Sequence, residues 1–326
     1  MRNIYFFLVL VTMLFASPLY ALDFESTYTL STGVMGGILW GKGIETVYAG
    51  NNYINSSPFQ SELRWDLKPL VYTGLFLDYS LTNPFLGNGL SVSLQIKYGL
   101  PLKTGVMENR DWLAYNQNYL THYSEHDAYS GNSSFMTVFS FGYSFALFEN
   151  LHIKPFAELS YMRFDWQGKD GFRQYGNDAP EIRYEPTLPS TPKIPSYGTI
   201  ITYSQNWIIF TPGIEAGIKL NDYFGILLNA GLSPILYGFH KDNHVLRDTI
   251  FLDYMFGGLF VKGSLSIEYL INNRFALYLS ASYMNVSRTR GDTYISRWGM
   301  PHTFHPGISG GGFSLSDYSL RLRYIF

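Results

Sequence analysis

Asp242 and His244 stand two residues apart in Tyr237-Gly-Phe-His-Lys-Asp-Asn-His244. On an extended chain, positions i and i+2 face the same side. A carboxylate that holds an imidazole in place turns the ring into a base able to take a proton from water. A second polar cluster, Glu108-Asn109-Arg110-Asp111 followed by Trp112, offers further acids and an amide, with Asn109 and Asp111 sharing one direction. An Asp–His pair facing this cluster across a cleft suits attack of water on a peptide bond. His244 is then the base, Asp242 fixes its proton, and Asp111 holds the water or the developing tetrahedral species. Three other features carry weaker readings. His122 and His126 have a spacing that suits zinc on a helix, but no helical pattern accompanies them. Arg290-Gly-Asp292 is an adhesion-type tripeptide and equally an ordinary turn composition. Glu45 is a single acid, able to hold a basic side chain or to serve as surface charge.

The elements that must position these groups are strands. After residue 22 no stretch stays apolar for the ~18 residues that a membrane helix needs. Alternating segments take its place, over residues 24–39, 60–81, 90–106, 134–147, 151–166, 198–220, 223–239, 252–270, 274–290 and 312–326. An even number of antiparallel strands closes a sheet without a free edge, as hydrocarbon requires. The connections alternate between short turns rich in Asn, Asp and Gly and long ones at 40–59, 107–133, 168–197, 240–251 and 291–311. The longest of these carries Pro180, Pro186, Pro189, Pro192 and Pro195, which make it stiff and extended. This rhythm predicts an all-β fold, a ten-stranded antiparallel transmembrane β-barrel with long extracellular loops and periplasmic termini. Strands three and seven then lie on opposite walls, so Glu108–Asp111 and Asp242–His244 meet across the mouth.

Composition agrees. The chain holds 27 Tyr, 25 Phe and 6 Trp with only 15% charged residues, as expected of a barrel with aromatic girdles at both membrane interfaces. A net charge of −2 gives no argument for nucleic acid, and with no cysteine there is neither a disulfide framework nor a thiolate metal site. Residues 1–21 read as a secretory signal peptide, with a charged start, a short apolar run and Ala21 at the cut. Residues 22–326 then form the barrel. The alternation of Leu320, Leu322, Tyr324 and Phe326 ends the chain as outer-membrane barrels commonly end, in a signal for the insertion machinery.

At these residues the chain resembles the omptins, outer-membrane proteases built on a ten-stranded barrel. Asp242-Asn-His244 is similar to the family's Asp-x-His dyad, and Asp111-Trp112 to its acidic catalytic segment. Gly41-Lys-Gly-Ile-Glu45-Thr-Val-Tyr48 resembles the first-strand segment whose Glu binds the basic P1 side chain, and Ser124-Glu-His126 a Ser-x-His segment of the second loop. The resemblance implies an endopeptidase acting on exposed polypeptides near basic residues, with Asp111, Asp242, His244 and Asn109 at the reaction centre. Glu45, His240, Glu108, Ser124 and His126 are the implied substrate-side residues. It implies no cofactor beyond outer-membrane lipid such as lipopolysaccharide, and no metal. Two departures stand out. Asn109 replaces the first of the family's paired aspartates, and an amide neither takes a proton nor carries the charge. His240 stands where the family has an acid, so the preference for Arg or Lys at P1 should be weaker or different. The rival readings are an omptin-fold surface adhesin or ligand-binding barrel with a weakened site, and a small channel, for which ten strands leave little lumen.

Overall fold

In the stretch 156–166 every second residue is inward and buried: Phe156, Glu158, Ser160, Met162, Phe164 and Trp166. Leu159, between them, is 50% exposed. That period of two, with polar and apolar side chains alike on the inner face, is the pattern of a strand lining a barrel. The computed structural model describes residues 27–48, 59–82, 88–113, 120–131, 133–176 and 186–326. The expected leader and Pro180 lie outside the described residues.

Ten strands make the ring. They are β1 (Thr27–Tyr48), β2 (Phe59–Thr82), β3 (Gly89–Gly99, continued by Lys103–Asp111), β4 (His122–Ser130, continued by Phe135–Phe148) and β5 (Leu151–Tyr175). The other half is β6 (Thr199–Lys219), β7 (Phe224–Ser233, continued by Leu236–His244), β8 (Thr249–Phe256, continued by Phe260–Leu270), β9 (Phe275–Arg297) and β10 (Thr303–Ile325). Each pairs antiparallel with its chain neighbours, and β1 pairs with β10 from Ser31↔Ile325 to Val47↔Ser309, which closes the sheet. The short turns are held by asparagine side chains. Asn221 Oδ1 accepts from the backbone N–H of Tyr223 and Phe224, both at 2.9 Å, and Asn272 does the same for Arg274 and Phe275.

The outer face carries an exposed apolar band that includes Val34, Leu75, Ile96, Ile214, Leu228 and Leu279. Outward aromatics bracket it: Tyr28, Tyr79, Phe148 and Tyr223 at the turn end, Trp40, Tyr98, Tyr237 and Phe256 toward the other. Inside, the barrel is layered. Near the turns lies a polar chamber of about 500 Å³, crossed by ion pairs that join Lys97 to Asp317 and Lys262 to Glu158. Above it Trp65, Trp166, Trp207, Tyr203, Phe164 and Phe313 fill the lumen as an aromatic floor. Tyr203 stacks on Trp65 at 5.5 Å and on Trp166 at 5.8 Å between ring centroids. Gly43 admits this floor to the β1 wall, because a Cβ there would come within 2.8 Å of the Trp166 ring.

The strands run further than the apolar alternation predicts. β1 ends at Tyr48, not 39; β3 at Asp111, not 106; β5 at Tyr175, not 166; and β9 at Arg297, not 290. Alternation of apolar and polar residues stops where the outer face leaves hydrocarbon, but the hydrogen-bond ladder continues with polar groups on both faces. Much of what reads as long loop is therefore strand. Arg290-Gly-Asp292 is one case: it lies within β9, where Asp292 accepts the Gly307 N–H at 2.8 Å and Arg290 donates to the Gly307 carbonyl. It is not a presented loop tip.

The polar chamber yields a stability prediction. Lys97 and Asp317 are both buried, and Tyr72 donates to Asp317 at 2.6 Å. Lys97→Met strands the carboxylate and should lower the unfolding free energy by about 3–5 kcal/mol, while the double change with Asp317→Leu regains most of it. Urea unfolding in lipid vesicles measures both; equal losses in the single and double variants would contradict the pairing.

Candidate active site

Above the aromatic floor the barrel opens into a cavity of about 610 Å³ lined by residues of all ten strands. β1 supplies Glu45, β3 Asn109 and Asp111, β4 His122, Ser124 and His126, and β7 Asp242 and His244. Period-two geometry explains the selection. Met107, Asn109 and Asp111 face in; Glu108 and Arg110 face out. The register His240↔Gln205, Asp242↔Tyr203 and His244↔Ile201 locks β7 onto β6 so that all three face inward, Asp242 and His244 toward the cavity.

His244 and Asp242 form the expected pair, with Nε2 2.7 Å from Oδ2. With Nε2–H donating to Asp242, the lone pair sits on Nδ1. Burial holds the His244 ring below its ordinary pKa, against the opposing pull of Glu45 and Asp111, so the ring is a neutral base at neutral pH. On the facing wall Ser61 donates to Asp111 Oδ1 at 2.6 Å, and Asn109 Nδ2 donates to Asp111 Oδ2 at 3.2 Å. Burial, and then the charges of Asp242 and Asp253, keep the Glu45 carboxyl well above the usual carboxylate range. Burial and Asp253 push Asp242 up as well. Asp242 accepts the imidazole N–H and so keeps the charge, leaving the proton on Glu45.

The expected residues do not all belong to the cavity. Glu108 projects outward, where it binds Arg110 at 2.8 Å and Tyr123 at 3.1 Å. Strand alternation puts it on the other face from Asp111, so it is not a cleft residue. His240 is fully buried beneath the cavity, in the floor, with Nδ1 2.9 Å from the Tyr203 hydroxyl and its ring against Trp207. Burial pushes its pKa down to about 3. His126 lines the cavity but spends Nδ1 on the Asp170 carbonyl, and Ser124 lines it beside Asn109, its register partner. His122 lies opposite Asp111 in the β3–β4 register and edge-on to Tyr175. On a strand, His122 and His126 do not have the helical geometry that suits zinc. Among the described residues no group of three or more His, Asp or Glu is placed to hold a metal.

Sequence reasoning missed Ser61 and Asp253. Asp253, on β8, lines the cavity and is 3% exposed. A lone acid in the otherwise apolar run Thr249-Ile-Phe-Leu-Asp-Tyr-Met-Phe256 was the available signal, since buried acids are rare without a task.

A closed barrel of ten strands with an Asp–His pair opposite an Asn–Asp pair in one end is a β-barrel of outer-membrane type carrying a hydrolase-like cavity. The Omptin family model matches residues 26–323, and the chain belongs to that family. Its fold is that of the outer membrane protease OmpT from Escherichia coli, with a TM-score of 0.77 and 15% identity over 91% of this chain and 97% of that one. The translocator domain of the autotransporter NalP from Neisseria meningitidis aligns over 97% of this chain and 94% of that one at 10% identity, with a TM-score of 0.30. The transport unit of the autotransporter AIDA-I from Escherichia coli aligns over 96% and 98% at 8% identity, with a TM-score of 0.33. No curated protein sequence matches the chain at a significant level. Family and fold point to the bacterial outer membrane and a protease-like role.

The electrostatics can be read directly. The His244 ring should titrate below the ordinary midpoint of about 6.5. Because Asp111 pulls that value up, Asp111→Asn should lower it further. Histidine-ring NMR of the refolded barrel follows both, and a midpoint at or above the ordinary one would contradict the buried, neutral base.

Proposed function

We propose that the chain is an outer-membrane endopeptidase whose cavity end faces out of the cell and cuts exposed polypeptides next to basic residues. The observation that carries this reading is the His244–Asp242 hydrogen bond facing Asn109 and Asp111 within one cavity. Water between the walls gives a proton to His244 Nδ1 and attacks the scissile carbonyl carbon. Asp242 holds the ring and stabilises the imidazolium that forms. Asp111 accepts from the water and orients it, and the Asn109 amide N–H is a donor for the developing oxyanion. His244 then returns its proton to the leaving amine. Positioned base and oxyanion donor are each worth roughly 10²–10⁴ in rate. Glu45 receives the P1 side chain. The partners on this reading are polypeptide substrates at the cell surface, outer-membrane lipid, with lipopolysaccharide as an activating lipid, and the insertion machinery that reads the C-terminal strand.

A second reading, a surface-binding barrel with a weakened site, is favoured by one observation. Both oxygens of Asp111 are already engaged, one by Ser61 and one by Asn109, where an aspartate at 109 would leave a second acceptor free.

Two variants decide between them. His244→Ala should cut peptide turnover by at least about 10³-fold while the barrel stays folded. Asn109→Asp should raise turnover by about tenfold or more, since Glu108 faces away and cannot substitute. Fluorogenic peptides with refolded barrel in lipopolysaccharide-containing vesicles supply the assay. Turnover unchanged by His244→Ala removes the mechanism, and a wild-type barrel that binds peptides but cuts none favours the second reading.

A further inference from the structure

The arginines at the cavity end of the barrel fall into two sets. Those on the outer face have acceptors. Arg64 and Arg288 bind Glu62, Arg110 binds Glu108, and Arg290 donates to the Gly307 carbonyl. Arg173, Arg247 and Arg297 line the cavity instead. Among the described residues, none of these three guanidinium groups has an ion pair or a hydrogen bond. The line from Asp111 on β3 to His244 on β7 divides the cavity in two. One half, from β8 round to β2, holds the acids Asp253 and Glu45 together with Arg297. The other half, over β4, β5 and β6, has no Asp or Glu among its described lining residues. Arg173 stands there without an acid to answer it.

Register fixes the place of Arg173. Asn109 is opposite Ser124 across β3 and β4, and Ser124 is opposite Arg173 across β4 and β5. The three form one row at one level of the wall. With strands about 4.8 Å apart, Arg173 is rooted about 10 Å from the Asn109 strand. Its chain neighbours face away: Phe172 packs against Tyr123 and under Lys193, and Gln174 donates to the Thr191 carbonyl. Alternation therefore turns Arg173 into the lumen. The next row towards the mouth is Asp111, His122 and Tyr175. Burial holds His122 and His126 below their ordinary pKa, so both rings are neutral at neutral pH. Arg173 is thus the permanent charge of this half among the described residues.

On the endopeptidase reading the P1 side chain lies toward Glu45, in the first half of the cavity. The substrate then passes between Asp111 and His244, and the part beyond the cut runs into the second half, where Arg173 is. We propose that Arg173 anchors a carboxylate subsite on the leaving-group side of the scissile bond, selecting polypeptides with Asp or Glu just after the cut. This deepens the endopeptidase reading and rests on it for which side carries the leaving group. The planar guanidinium fork matches a carboxylate with two parallel N–H bonds, and the Ser124 hydroxyl in the same row offers a further donor. A lysine or arginine at that substrate position meets a like charge with no wall acid to offset it, so the subsite rejects as well as selects. Arg173 is exposed at the mouth, which makes the selection sensitive to salt.

The test is a set of peptides with Arg at P1 that differ only in carrying Glu, Gln or Lys at P1′ or at P2′. They are cleaved by the wild type, Arg173→Gln and Arg173→Glu, and resistance of the folded barrel to unfolding in cold detergent confirms that each variant is intact. At one of the two positions the wild type should prefer Glu over Gln by about five- to thirtyfold in kcat/KM, mainly through KM. Arg173→Gln should bring that ratio close to one, and Arg173→Glu should turn the preference to Lys, a reversal that a purely structural role would not give. Raising salt from about 0.05 to 0.5 M should shrink the wild-type ratio severalfold. No preference for Glu at either position, or one that survives Arg173→Gln, overturns the proposal. If the wild type cleaves none of the peptides, the endopeptidase reading has failed on its own account, and fluorescence anisotropy of the labelled Glu and Gln peptides tests the subsite directly. Tighter binding of the Glu peptide by the wild type that is lost in Arg173→Gln upholds it; equal binding of the two peptides, or none, overturns it.

Discussion

Closure of the sheet is the constraint from which the rest follows. Once β1 is paired with both β2 and β10, register is fixed all the way round, and with it the inward or outward direction of every side chain. Neither Glu45 nor Asp242 is near the other in sequence. They meet because the two strands that carry them point the same parity of residues into one lumen at one level. A slip of one residue in any pair would turn Asn109 and Asp111 outward and bring Glu108 and Arg110 in. The chemistry of the cavity is thus a property of the ring and not of any local motif.

The aromatic floor gives that ring two separate interiors. Trp65, Trp166, Trp207 and Tyr203 fill the lumen at a level where ten strands leave just enough room for packed rings. Below them, charges are neutralised pairwise and serve stability. Above them, three carboxyls have no lysine or arginine paired with them among the described residues, and one imidazole is kept neutral by burial. The same physical cost, that of taking charge out of water, is met on one side by built-in cations and left partly unmet on the other. The floor also holds the upper side rigid, since His240 of the β7 wall packs edge-on against Trp207 and meets the Tyr203 hydroxyl.

Most of the architecture was legible in the sequence, because a barrel writes its inner and outer faces as a period of two and its turns as Asn and Asp. Asp242 and His244 were legible for the same reason, being i and i+2 on a strand. The ends of the strands were not. Beyond the girdle both faces are polar, so the periodicity that marks β1 up to residue 39 vanishes although the ladder runs on to Tyr48. Glu108 could join the cleft only if the chain turned after residue 106; the ladder instead continues to Asp111, and the alternation that points Asn109 and Asp111 inward turns Glu108 out. Ser61 was hidden for a different reason: it joins the site only through the cross-strand register Ser61↔Asp111, which no single segment encodes. Asp253 stands out in its own apolar run, but its place beside His240 likewise comes only from the register His240↔Asp253.

The Asn109 position shows how far the site's charge balance can be reasoned from these facts. An aspartate there would sit against Asp111, and two adjacent carboxylates in a half-buried wall would share a proton and pull the His244 pKa upward. The amide instead donates to Asp111 and adds no second negative charge beside His244, whose ring burial holds below its ordinary pKa. A weaker base that is fully deprotonated and a stronger base that is partly protonated differ less in effective activity than their pKa values differ, because Brønsted dependence offsets occupancy. On the endopeptidase reading proposed above, the amide would take away a second acceptor for the attacking water and add a donor for the oxyanion. The site would then trade part of its grip on the nucleophile for a grip on the intermediate.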